Sequence, residues 1–71
     1  MNKINKTQAR KEYNSGKDVY LLPSKAAPGS IWIQPLRINN SCGRDFDTLV
    51  NEFSIYNCTK ETGLRINYYI N

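Results

Sequence analysis

The side chains of this sequence best equipped for chemistry are two thiols, Cys42 and Cys58, and two neighbouring carboxylates, Asp45 and Asp47. Cys42 stands beside Arg44 and just ahead of an expected helix start, a setting of positive potential that favours the thiolate. A cysteine nucleophile also needs a base to take its proton, and the chain has no histidine. Fifteen residues separate the two cysteines and no CxxC occurs, so one chain offers neither a redox dithiol nor a four-thiolate zinc site. Packed free thiols are expected in a reducing compartment. Asp45 and Asp47 read either as a carboxylate pair for a metal or acid/base work, or as a helix cap followed by a first-turn charge on the helix dipole. The second is the commoner use of that spacing. Glycines 16, 29, 43 and 63 stand singly, so no phosphate-cradling loop is written here. The expectation is a protein that is not an enzyme and has no metal or cofactor.

Residues suited to adhesion are more plentiful. The first 25 residues carry Lys3, Lys6, Arg10, Lys11, Lys17 and Lys25 against Glu12 and Asp18, and the rest of the chain is balanced, so the whole net charge of +4 lies in the leading third. Such asymmetry suits a phosphate-rich or acidic partner, although a basic helix face in solvent looks the same in sequence. Aromatic residues Tyr20, Trp32 and Tyr69, with Arg65, alternate onto one face of the expected strands. That combination stacks unpaired bases or forms the centre of a protein interface. If the helices straddle the sheet, or a second copy covers it, the same rings are simply core.

The elements that position these residues follow from pattern. Asn5 can cap a helix running from about Lys6 to Ser15, with Gln8 at the third helical position, Ile4 able to staple onto Ala9, and Gly16 ending it. Ala9 and Tyr13 form its narrow apolar stripe. Asp18 to Leu22 reads as a strand. Ser24 to Ser30 is a turn-rich loop. Ile31 to Gln34 is a second strand, interrupted by Pro35 and resuming over Leu36 to Ile38. Phe46, Leu49, Val50 and Phe53 recur at helical spacing behind the cap Asp45, with Tyr56 at the edge of the stripe, Ile55 almost opposite it, Lys60 in the last turn and Gly63 at the exit. Leu64 to Ile70 alternates strictly, as a half-buried strand does.

The order α-β-β-α-β predicts a small two-layer α+β domain, with a three-stranded antiparallel sheet packed by two helices. The 71 residues hold one domain, with 1–5 a flexible lead-in. Val19, Leu21, Ile31, Ile33, Leu64, Ile66 and Tyr68 should face the helices. Tyr20, Leu22, Trp32, Gln34, Arg65, Asn67 and Tyr69 should form the opposite, open face. With no run near the roughly 18 apolar residues of a membrane span, and no apolar leader after Met1, the chain is expected in the cytoplasm.

The string Tyr20-Leu-Leu-Pro23, then Lys25, Pro28 and Trp32, followed by Asp45-Phe-Asp47, Val50-Asn51, Phe53, Tyr56-Asn-Cys58, Glu61 and Gly63, resembles a family of very short proteins of phages and mobile elements of low-GC bacteria. The resemblance spans nearly all of the chain from Thr7 onward. It implies stoichiometric work: blocking a host defence machine such as a CRISPR nuclease, or sequestering a small signal. The leading expectation is therefore a non-enzymatic, counter-defence inhibitor docking on a host protein or nucleoprotein complex, with Lys6, Arg10, Lys11 and Lys17 on one surface and Tyr20, Trp32, Arg65 and Tyr69 on another. The alternatives are a small basic nucleic-acid-binding or regulatory protein, and an oligomeric sponge for a nucleotide signal. DNA mimicry is disfavoured by the positive charge.

Overall fold

The computed structural model describes residues 1–24, 34–56, 63 and 65–71. In chain order the elements are β1 (Asn2–Ile4), α1 (Lys6–Asn14), β2 (Val19–Pro23), β3 (Leu36–Ile38), a single 3-10 turn (Asn40–Cys42), α2 (Phe46–Tyr56) and β4 (Ile66–Ile70). The four strands form one antiparallel sheet in the order β1-β4-β2-β3.

The α+β class is as expected, but the sheet has one strand more. Asn2–Ile4, assigned by sequence to a flexible lead-in, pairs with β4 in the register Asn2 with Ile70 and Ile4 with Tyr68. Three residues with a single apolar side chain have no period to read, and their partner lies at the far end of the chain. The expected strand Ile31–Gln34 is largely outside the described residues. Gln34 and Pro35 precede β3 without belonging to it, as a residue without an N–H to donate would have it.

Local signals set the helices. Asn5 Oδ1 accepts from the Gln8 N–H at 2.8 Å, satisfying one of the donors left open at a helix start. At the other end the Gly16 N–H donates to the Tyr13 carbonyl, and Gly16 adopts φ +88°, the left-handed conformation that a side chain would oppose. The Asp45 carbonyl accepts from the Leu49 N–H, which places Asp45 at the start of α2 as expected.

Both helices pack on the same face of the sheet. Ala9 and Tyr13 of α1 and Phe46, Val50 and Phe53 of α2 form one core cluster with Val19, Leu21, Ile38 and Tyr68, flanked by Ile4, Leu49, Ile66 and Ile70. At its centre the Phe46 ring lies 5.7 Å from that of Tyr13 and 6.0 Å from that of Tyr68, in tilted arrangements that suit aromatic quadrupoles. No helix among the described residues is long and apolar enough to cross a membrane.

Candidate docking surface

Strand register decides where the predicted rings lie. Tyr20 is opposite Tyr69 on β4 and Arg37 on β3, and Tyr69 is opposite Lys3 on β1. One rung of the sheet therefore reads Lys3, Tyr69, Tyr20, Arg37, on the face turned away from the helices. The expected neighbourhood of Tyr20 and Tyr69 is correct. Its openness is not: Tyr69 is 6% exposed, Leu22 beside it is completely buried, and Tyr20 is only partly exposed, its hydroxyl accepting from Asn71 Nδ2 at 3.0 Å. Alternation told which face these side chains share but could not tell that Tyr69 and Leu22 are buried on it while Lys3 and Arg37 of the same face are exposed. Arg65 is exposed, with its backbone tied to Ser24 by two hydrogen bonds. Trp32 lies outside the described residues.

The basic set divides as well. Arg10 is held: its Nη2 is 2.8 Å from Asp47 Oδ1 and its guanidinium carbon 5.5 Å from the centre of the Phe46 ring, so it bridges the two helices. That bond holds the Asp47 carboxyl below its usual range, with Lys6 adding a smaller contribution. Lys17 pairs with Glu12 at 3.3 Å, Arg37 with Asp18 at 3.8 Å, and Arg44 with Glu52. Among the described residues Lys3, Lys6, Lys11 and Arg65 enter no ion pair. Among the described residues the unpaired positive charge thus lies on β1 (Lys3), along α1 (Lys6 and Lys11) and at Arg65, and Arg10 and Lys17 contribute less to it than their sequence positions suggest.

Cys42, raised by sequence as a nucleophile, is exposed and 3.5 Å from the Tyr13 hydroxyl, which donates to the Arg44 carbonyl at 2.5 Å. The Tyr13 contact, then the Arg44 backbone N–H, lower the pKa of the thiol. Burial, then the same Cys42 contact, push the Tyr13 hydroxyl up to about 12. The chain has no histidine to act as the thiol's base, and among the described residues no group of His, Cys, Asp and Glu side chains could hold a metal ion. Cys58 lies outside the described residues.

A feature the sequence reading missed lies on the helical side. Between α2 and the β2–β3 edge runs a groove of about 420 Å³, lined by Pro23, Gln34, Leu36, Leu49, Glu52, Phe53 and Tyr56. Leu36 is 45% exposed and Tyr56 92% exposed, which is unusual company for large apolar and aromatic side chains in so small a domain. Its walls come from three elements, with Pro23 from β2, Leu36 from the three-residue β3, and Leu49, Glu52, Phe53 and Tyr56 from α2. The sequence held one signal, Tyr56 at the margin of an otherwise buried stripe.

No family model, curated protein or solved structure matches the chain.

Proposed function

We propose that this is a non-enzymatic binding protein of phage or mobile-element type that blocks a host defence machine by docking on one of its proteins. The observation that carries the reading is the apolar groove flanked by Leu36 and Tyr56, with Leu49 and Phe53 in its wall. An open, aromatic-edged groove is the kind of surface on which a few residues supply most of the binding energy at a protein interface. The unpaired Lys3, Lys6 and Lys11 supply an attractive field for an acidic partner and would speed its encounter. The resemblance of the sequence to short phage proteins supplies the counter-defence part of the proposal.

A second reading, direct binding of nucleic acid, is favoured by the same three lysines, which would serve as phosphate contacts. The aromatic half of that reading has lost support, because Tyr69 is buried. A nucleotide sponge draws no support from the groove, whose lining contains no arginine.

The test is phage plating on bacteria that carry a CRISPR nuclease programmed against the phage and express this chain. Restored plaquing, lost in Tyr56→Asp and Leu36→Asp proteins whose circular dichroism is unchanged, is the expected result. Full nuclease protection in the presence of the chain, together with tight oligonucleotide binding that weakens steeply with salt, would replace this reading with the second.

A further inference from the structure

We infer that β3 receives an extended segment of the partner, in which one apolar side chain between two acidic ones fills the groove beside Leu36. The inference rests on the docking reading above and specifies the partner's chemistry. Among the described residues β3 is the last strand of the sheet and is paired with β2 alone. An edge strand presents a row of N–H and C=O groups that a further strand can satisfy. Leu36 and Ile38 point toward the helices, being opposite Leu21 and Val19, and Arg37 points away, being opposite Tyr20. A strand added outside β3 inherits that alternation. A side chain opposite Leu36 would enter the groove walled by Leu49, Phe53 and Tyr56. Its two neighbours would emerge on the other face, alongside Arg37.

Charge selects the occupant. The Arg37 side chain is 68% exposed, and its contact with Asp18 is a long 3.8 Å, so its charge is available to a neighbour. The chain as a whole carries +4. Cross-strand pairs of opposite charge stabilise and like charges directly opposite destabilise. A second copy pairing through β3 about Arg37 would set Arg37 against Arg37. An acidic partner segment has the reverse sign and fits.

The experiment uses the full chain, labelled with nitrogen-15, and a synthetic peptide alternating Glu with Leu and Ile. A peptide of the same composition with its residues in blocks serves as control. The alternating peptide should shift the amides of Leu36–Ile38 and of the α2 residues lining the groove, and the control should not. Arg37→Glu should weaken the alternating peptide by roughly two- to fivefold, the scale of an exposed charge pair, and should strengthen a peptide with Lys in place of Glu. Silence at Leu36–Ile38, equal binding of the control, shifts confined to Lys6 and Lys11, or self-association through β3 would each overturn the inference. If peptide binding fails while Tyr56→Asp still abolishes protection in the plating test, docking on a host protein stands and this mode of docking falls. Larger shifts at the same amides with a single-stranded oligonucleotide would overturn both.

Discussion

At the residue scale, Tyr13 joins α1 both to α2 and to the turn that leads into it. Its ring packs on Phe46, and its hydroxyl reaches past the end of the core to the Arg44 carbonyl and Cys42. Tyr13→Phe keeps the ring and leaves a carbonyl short of its donor, so chemical denaturation should show a loss of about 1–2 kcal/mol. The ionisation carries a sign. Because the folded hydroxyl is held near 12 and that of an unfolded tyrosine near 10, the stabilisation is complete below pH 10 and is lost as the pH rises toward and past 12. Absorbance titration should therefore show a late-ionising phenol that is missing in Tyr13→Phe, beside that of Tyr68, whose pKa burial also raises. The same substitution bears on Cys42. In a Cys58→Ser background the Cys42 thiol should react with a disulfide reagent faster at neutral pH than an ordinary exposed cysteine, and Tyr13→Phe should slow it, since on ionisation of the thiol the single Tyr13 proton can turn from the Arg44 carbonyl to the thiolate. An unchanged rate would mean that the hydroxyl does not stabilise the thiolate.

At the element scale, stability depends on short pieces with definite ends. Asn5→Ala removes the oxygen that meets the Gln8 N–H and should cost about 1 kcal/mol. Phe46→Ala removes the ring shared by Tyr13, Tyr68 and Arg10 and should cost about 3–5 kcal/mol, enough to unfold a domain of this size. Both are measured by thermal or denaturant unfolding. These elements were also the legible ones. The stripe Phe46, Leu49, Val50, Phe53 and the alternation over Ile66–Ile70 are periodic, and Asn5 and Gly16 are punctuation that acts within four residues. What the sequence hid is non-local. Asn2–Ile4 acquires its strand from β4. Asn39 appears as an ordinary loop residue, yet its Nδ2 donates to the Gly16 carbonyl and to Asp18 Oδ1 while its Oδ1 accepts from the Ser41 N–H, fastening the loop after β3 to the end of α1. Arg10 reads as a free cation, and its partner Asp47 is 37 positions away. The groove was hidden for the same reason, since its walls come from β2, β3 and α2.

At the scale of the whole molecule, charge and apolar exposure are separated. Among the described residues the unpaired lysines lie on β1 (Lys3) and at the first and last turns of α1 (Lys6 and Lys11), the groove lies between α2 and the β2–β3 edge, and the ring-bearing rung that sequence proposed as a contact face is largely buried at Tyr69. Association with an acidic partner should accordingly be steered by Lys3, Lys6 and Lys11 and held by the groove. Lys6→Ala with Lys11→Ala should slow the on-rate and flatten its salt dependence with little change in off-rate, and Tyr56→Ala should do the opposite; stopped-flow or surface-binding kinetics separate the two. The central claim, that the groove is where this protein meets a host protein, is tested most directly by photo-crosslinking in cells. A benzophenone amino acid placed at position 56, and at exposed Ser41 as a control, should give a discrete adduct with a defence-complex protein at 56 only, removed by Leu36→Asp. Adducts to nucleic acid alone, or the same adducts from both positions, would contradict it.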